Sequence, residues 1–147
     1  MRNSKSLIGA SLALGVAACS AGVVEAPLSV DNALALIESE LGLACMKFDK
    51  EGTPTCSRTR EDLLKYPSAT ELVRVQWNDT DDGEYEVTII GVRHSEINRD
   101  DVLKFVARFG FSEEDFDAVT VNGQRLTRGE YTMTAMGREE FLVFPAL

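Results

Sequence analysis

Helical and strand patterns alternate along the sequence, which predicts an α+β fold. Two observations carry this prediction. Amphipathic stretches with apolar residues at helical spacing recur, and two alternating stretches flank an Asp-Gly turn. We therefore expect a two-layer sandwich, with helices packed on one face of an antiparallel sheet built from hairpins.

The clearest strand signal is the pair "ELVRVQW" and "YEVTIIGV", separated by "NDTDDGE". Alternation places one apolar face on each strand, made of Val73, Val75 and Trp77 and of Tyr85, Val87 and Ile89. The second face is mostly polar and is expected to meet water; it carries Leu72, Arg74, Gln76, Glu86 and Thr88. The sequence predicts a β-hairpin here.

Capping residues mark the predicted helices. Ser29 precedes "VDNALALIESELG", whose apolar stripe is Val30, Ala33, Leu34, Ile37 and Leu41. "SRTREDLLKYP" predicts a short helix that Pro67 ends. Asn98 caps a helix that Gly110 ends, with the stripe Val102, Phe105, Val106 and Phe109. Ser112 and Asp115 form a capping-box pattern before the short helix "EEDFDAV".

The C-terminal third is predicted to form strands. "VTVNGQRL" contains an Asn-Gly turn, and "EYTMTAM" and "EEFLVFPAL" flank Gly137. The apolar run "FLVFPAL" is typical of a buried strand, and the alternative is an exposed edge that pairs with a partner. Four phenylalanines likewise favour core packing over a ligand groove: Phe105, Phe109, Phe111 and Phe116.

The N-terminus has the pattern of a secretory signal peptide. Arg2 and Lys5 precede the apolar run "LIGASLALGVAA", and no acidic residue appears before Glu25. The run is too short for a bilayer crossing, which needs about 20 apolar residues. We assign residues 1–18 to this signal peptide.

The run ends at "VAAC", Val16 to Cys19, which resembles the lipobox of bacterial lipoprotein precursors. The resemblance implies that Cys19 is lipidated and becomes the N-terminus, anchored in the membrane and facing the periplasm of a bacterial cell envelope. Ser20, where enterobacterial sorting uses Asp for inner-membrane retention, implies the outer membrane. The competing interpretation is ordinary cleavage after Ala21, because Cys19, Ser20 and Ala21 are all small.

The remaining chain is long enough for one domain. We expect a lipidated cysteine and short tether over residues 19–28 and a single α+β domain over residues 29–147. At ~3.3–3.6 Å per residue, the tether would reach about 30 Å.

Charge argues against nucleic acid as a partner. Residues 1–18 contain two of the 15 Lys and Arg residues and none of the 24 Asp and Glu residues, which leaves 13 basic against 24 acidic residues and a formal charge of −11. A domain this acidic repels phosphate backbones.

Cys45 and Cys56 bracket the segment "MKFDKEGTPT" and are predicted to form a disulfide closing a small hairpin. Pro54 suggests that the second strand of this hairpin is an edge. Zinc is not expected, because ligation takes four groups and His94 is the only histidine. The spacing is not that of a C-x-x-C redox pair, and no cofactor is expected.

Two groups of residues are candidates for chemistry. Asp79, Asp81, Asp82 and Glu84 cluster at a turn, but a calcium loop fails because Thr80 and Ile89 occupy ligand positions. The second group places His94 near the carboxylates of Glu96, Asp100 and Asp101, so an acid–base pair is conceivable; the alternative is a loop histidine without a catalytic role. No Gly-x-Ser-x-Gly motif accompanies it.

Two functions follow as expectations. The first is a membrane-anchored envelope lipoprotein that acts as a non-catalytic binding or accessory module, with the membrane as one partner through its lipid and an envelope protein as a possible second. The alternative is a small periplasmic hydrolase or enzyme inhibitor whose site is built from scattered residues.

Overall fold

A computed structural model describes residues 22–47, 53–80 and 82–146. Residues 1–18, predicted as a signal peptide, Cys19, Asp81 and residues 48–52 lie outside the described residues. The helices are α1 (Val30–Leu41), α2 (Arg60–Lys65), α3 (Pro67–Thr70), α4 (Arg99–Ala107) and α5 (Glu113–Thr120), with a 3₁₀ turn over His94–Glu96. The strands are β1 (Ala44–Lys47), β2 (Pro54–Ser57), β3 (Val73–Asp79), β4 (Tyr85–Val92), β5 (Leu126–Arg128), β6 (Tyr131–Met136) and β7 (Glu140–Pro145).

These strands form one antiparallel sheet in the order β1-β2-β3-β4-β7-β6-β5. Helix α1 packs against α4 and over β1 to β4, and α5 packs on β6 and β7. The predicted α+β sandwich is confirmed. Strand β7 lies between β4 and β6, so the run "FLVFP" within it is an interior strand and not an exposed edge.

The predicted caps hold the helix starts. The Ser29 hydroxyl accepts from Asn32 N at 3.1 Å, and Asn98 Oδ1 accepts from the first-turn amides. The Ser112–Asp115 capping box is complete. Each satisfies amides that have no partner inside the helix. On α1 the buried stripe contains Leu36, whereas the predicted Leu34 is only partly buried against the core.

The core lies between the sheet and the helices α1, α4 and α5. Phe109 is its centre: its ring lies 5.1 Å from Phe105 and 4.8 Å from Tyr131, measured between centroids, in edge-on contacts. The four phenylalanines of the predicted stripe are all buried in this cluster. Core packing is therefore their role.

Helices α2 and α3 cover the opposite face of the sheet at one end. Cys56 of β2 belongs to the main core, yet its neighbours Thr55 and Ser57 are buried too. Because alternate residues of a strand point to opposite faces, something must cover the second face. The Ser57 hydroxyl donates to Thr70 O at 2.7 Å, which places the end of α3 there. We call the rest of this face, opposite α1, α4 and α5, the outer face.

A bulge changes the predicted orientation of β4. Gln76 pairs with Ile89 and the next residue, Trp77, pairs with Val87, so Thr88 is the extra residue. A bulge shifts the alternation by one. Ile89 therefore lies on the outer face, and Ile90 takes its predicted place in the core. Leu72, predicted on the polar face, is also buried.

Two local predictions are wrong. Strand β2 is not an edge, because β1 pairs on one side and β3 on the other. Pro54 is tolerated as its first residue, since β3 pairs only with Thr55 and Cys56. The Asn122-Gly123 pair is a helix stop and not a hairpin turn: Gly123, at φ 73°, donates to Val119 O at the end of α5.

The segment Gly22–Leu28, which we call the strap, is bound to the domain. Arg108 Nε donates to Gly22 O at 2.9 Å, and Val24 N donates to Arg108 O at 2.7 Å. Ala26 N donates to Glu130 Oε1, and Leu28 O accepts from Val87 N, each at 2.8 Å. These contacts begin seven residues before the predicted start of the domain, residue 29.

No helix within residues 22–47, 53–80 and 82–146 is both long and apolar enough to cross a membrane.

Candidate functional site

The outer face contains a groove of about 300 Å³, which we call the outer groove. Its residues come from β3, β4, β6 and β7 and from the turn before β3: Glu71, Leu72, Arg74, Gln76, Ile89, Gly91, Met136, Glu140 and Leu142. Strand register explains why they meet, since Gly91 pairs with Arg74 on one side and with Leu142 on the other. Directly paired residues share a face of the sheet.

Gly91 deepens the groove. A Cβ at this position would lie 3.4 Å from Leu142 Cδ2, so any larger side chain would fill the space beside Leu142. The floor is apolar because Ile89 and Leu142, both partly exposed, flank this glycine. Met136 continues the apolar surface at one end and is 54% exposed.

Ion pairs hold the rims of the outer groove. Arg74 contacts Glu71 through two nitrogens, at 3.0 and 3.2 Å. At the other rim Glu140 faces Arg93 Nε at 3.6 Å. A two-pronged Arg–carboxylate contact fixes the side-chain geometry better than a single contact does. The result is an apolar floor between two polar rims, of which the Arg74–Glu71 rim is held by a two-pronged contact.

Phe144 extends the apolar surface toward β6. It pairs with Thr132 on the outer face, and the guanidinium carbon of Arg125 lies 5.2 Å from its ring centroid. Thr132 is in turn bonded to Thr127, with 2.8 Å between the hydroxyl oxygens. The outer face thus has exposed apolar side chains, and they are flanked by polar groups that bond to one another: the Arg74–Glu71 pair and the Thr127–Thr132 hydroxyls.

His94 is not placed for acid–base chemistry with the predicted carboxylates. Its ring packs against Phe116 and Phe141, at 5.5 and 5.7 Å between centroids. Its Nε2 is buried and has no hydrogen-bond partner. Burial lowers the pKa of His94, and the charge of Arg99 lowers it further, while Glu139 and Glu140 oppose the shift.

Within the described residues, none of the three carboxylates predicted beside His94 forms a hydrogen bond or an ion pair with its ring. Glu96 faces Arg58 and Arg93, at 3.9 and 3.8 Å. Asp100 and Asp101 lie in the first turn of α4, where their backbone amides donate to Asn98. The structure therefore does not assemble the predicted His–carboxylate group.

The remaining predicted sites are the cysteine pair and the acidic turn. Cys45 and Cys56 stand opposite each other, with 4.1 Å between their Cα atoms, and form a disulfide. Of the acidic turn, Asp79 ends β3 and Asp82 and Glu84 lie in the turn, while Asp81 is outside the described residues. In the described part of the chain, no three His, Cys, Asp or Glu side chains are grouped so as to hold a metal ion.

One further ionisable group is buried without a partner. The Tyr131 hydroxyl has no hydrogen bond, and burial, with the charge of Glu130, raises its pKa to about 12. The phenol therefore stays protonated near neutral pH. Its ring packs on Phe109, which makes its role structural.

The outer groove was not predicted from the sequence. Arg74 and Gln76 were assigned to a solvated face, and only the bulge at Thr88 brings Ile89 to them. The alternation within "FLVFP" was the one available signal, since burying Phe141 and Val143 turns Leu142 outward. The neighbours of Leu142 depend on long-range pairing, which the pattern does not reveal.

No protein family, curated protein or solved structure that was compared with this chain matches it.

Proposed function

We propose that this chain is a lipid-anchored protein of the bacterial cell envelope that acts by binding an envelope protein and not by catalysis. In this proposal Cys19 carries the lipid at the outer membrane and the domain faces the periplasm. The outer groove is the binding surface. The observation that carries the proposal is the partly exposed apolar floor of this groove between polar rims.

An apolar floor within a polar rim is the usual composition of a protein interface. Ile89 and Leu142 supply the floor, and the Arg74–Glu71 pair supplies a rim that loses little side-chain entropy on binding. A volume of about 300 Å³ is at the small end for ligand pockets but accepts one or two apolar side chains. The ligand that fits is an apolar segment of a partner protein.

Two buried ionisable side chains, those of His94 and Tyr131, are consistent with the same choice. A general base must reach the proton that it removes. The buried Nε2 of His94 lies against two phenylalanine rings, and Tyr131 keeps its proton inside the core. Both are positioned for packing.

The anchor is supported by the lipobox resemblance at Val16–Cys19. Gly22, the first residue that the structure describes, is bonded to Arg108 and is three residues after Cys19. Cleavage before Cys19 and cleavage after Ala21 both leave Gly22 in the mature chain. The strap is therefore compatible with the anchored and with the unanchored form.

The anchor is tested by replacing Cys19 with alanine. Cys19→Ala is expected to move the protein from the membrane pellet to the soluble fraction and to leave its thermal unfolding unchanged, since residue 19 precedes every contact of the strap. Ser20→Ala is the matched control and should stay in the pellet. Recovery of Cys19→Ala in the pellet would refute the anchor.

The non-reduced intact mass of membrane-extracted protein gives a direct readout. We expect the mass of residues 19–147 plus acyl chains, less the hydrogens lost in one disulfide. A mass beginning at Gly22 without lipid would show a freely diffusing periplasmic protein.

The outer groove is tested by site-specific photo-crosslinking in cells. A photo-reactive residue at Leu142 is expected to give a discrete adduct, and the same residue at Val121, which is 75% exposed at the end of α5, should give none. Adding Ile89→Asp should abolish the Leu142 adduct, because a charge on the floor opposes apolar contact. Equal adducts at both positions, or an adduct that survives Ile89→Asp, would contradict the proposal.

A further inference from the structure

We infer that the strap holds the helical layer of the domain against the bilayer surface and directs the outer groove away from the membrane. The inference rests on the lipid anchor proposed above. It assigns a second surface, whose partner is the lipid bilayer.

The strap leaves the domain in its helical layer. Gly22 and Val24 are bonded to Arg108, which follows the last residue of α4. The segment then runs beside α1, where Val24 and Leu28 line a shallow cavity together with Asn32, Leu36 and Ser39. The outer groove is on the other face of the sheet.

Arg108 holds the start of the strap with several bonds. Its Nη1 donates to Glu40 Oε2 at 2.8 Å, and both side chains are largely buried, with exposures of 24% and 18%. A buried and hydrogen-bonded ion pair is held more firmly than an exposed one. The point at which the chain leaves the domain is therefore fixed to α1 and α4 together.

Little chain remains between this point and the anchor. From Cys19 to Gly22 there are three peptide steps, which reach about 10 Å when fully extended. A domain of this size has a radius of gyration of about 14 Å. The link is shorter than the radius, so the domain cannot turn its far side to the membrane. The side that carries Gly22 must face the bilayer.

The surface beside Gly22 includes an exposed apolar side chain. Val23 is 59% exposed, and its Cγ1 would lie 4.0 Å from a Cβ placed on Gly110, beside Arg128. Charge does not draw the rest of the domain to the membrane, because its formal charge of −11 is repelled by anionic lipids. The short link is thus what keeps the domain at the surface.

The test measures which face of the lipidated protein is near lipid. Single cysteines are introduced by Lys104→Cys, on the exposed side of α4 one turn before Arg108, and by Thr134→Cys, on the outer face. Each is labelled with a fluorophore, and the protein is placed in vesicles of phosphatidylethanolamine and phosphatidylglycerol that carry a headgroup quencher. We expect quenching at Lys104→Cys and little at Thr134→Cys.

Two further variants test the cause. A Gly-Ser insertion of about ten residues after Ser20, with an r.m.s. length of about 17 Å, should remove the difference between the two sites. Arg108→Ala, which frees the start of the strap, should reduce it, while Arg138→Ala in the β6–β7 turn should not. Thermal unfolding of each variant verifies that the domain is folded.

The outcomes separate this inference from the proposed function. Equal quenching at both sites, in protein whose intact mass includes acyl chains, would overturn the orientation and leave the anchor standing. A difference that survives the insertion would show that the short link between Cys19 and Gly22 is not its cause. A mass without acyl chains would remove the anchor itself, and the inference with it.

Discussion

His94 is the one histidine of the chain, and its surroundings oppose its charged form. The ring packs against Phe116 and Phe141 and has no hydrogen-bond partner at Nε2. Burial and Arg99 lower the pKa of His94 below its ordinary value, although Glu139 and Glu140 act in the opposite direction. A proton on this ring therefore costs more in the folded protein than in the unfolded chain.

This difference predicts how the free energy of unfolding depends on pH. The unfolded chain takes up a proton at the ordinary pKa of about 6.5, while folded His94 stays neutral to lower pH. The free energy of unfolding should therefore fall as pH drops through about 6.5. Urea denaturation at several pH values on either side of this point measures the slope.

His94→Gln separates this effect from carboxylate titration. The variant has no imidazole, so the slope around pH ~6.5 should disappear while the lower-pH slope from Asp and Glu remains. An unchanged slope in His94→Gln would show that another group titrates there.

The disulfide is important for the stability of the β1–β2 hairpin, because β1 is a short strand at the edge of the sheet. Strand β1 has four residues and a partner on one side only. Cys45 and Cys56 are directly opposite in the register, so their bond ties this edge strand to β2. The bond also restricts the conformations of the unfolded chain, because it closes a ring of about a dozen residues.

Breaking this disulfide should lower the free energy of unfolding by about 3 kcal/mol. Cys45→Ala is the better variant, because Cys56 is fully buried and its removal would also leave a cavity. Denaturation of the wild type with and without a reductant provides the control, since reduction keeps both sulfur atoms in place. Equal stability of oxidised and reduced protein would contradict the prediction. Neither the Cys45→Ala substitution nor reduction should change where the protein is located in the cell.

The domain as a whole is held by apolar contacts between its two layers. Phe109 follows α4 and packs on Phe105 of that helix and on Tyr131 of β6. Phe109 is fully buried. Through its contact with Tyr131 it joins the helical layer to the half of the sheet that is farthest from the disulfide. A defect at this position weakens contact between the layers.

Phe109→Ala should lower the free energy of unfolding by about 3–5 kcal/mol, which includes lost burial and the remaining cavity. Val121→Ala is the matched control: the side chain is 75% exposed, and the change should stay within about 0.5 kcal/mol. Chemical denaturation of the two variants measures both values. A small effect at Phe109 would mean that the layers repack around the cavity.

The α+β class, the order of most elements and their caps were predictable because they depend on near neighbours in the sequence. Ser29, Asn98 and the Ser112–Asp115 pair each bond to amides two or three residues away. The β3–β4 hairpin was predictable for the same reason, since alternation and a turn specify it.

Elements whose partners are distant were predicted less well. Pro54 indicated an edge strand, but the pairing of β2 with β3 depends on residues beyond α2 and α3. Asn122-Gly123 resembles a hairpin turn in isolation and ends a helix in the fold. The same dipeptide suits both uses because both need a left-handed residue, and only the neighbouring elements decide between them.

The sequence by itself determined the amphipathic helices, the β1–β2 and β3–β4 hairpins and the lipobox resemblance, since each depends on residues a few positions apart. The tertiary structure alone decided the outer groove and the strap. One bulged residue, Thr88, turns Ile89 from the core to the outer face, and a guanidinium 86 residues from Gly22 binds its carbonyl. Contacts between residues so far apart in the sequence depend on how the layers pack, and the hydrophobic periodicity does not predict them.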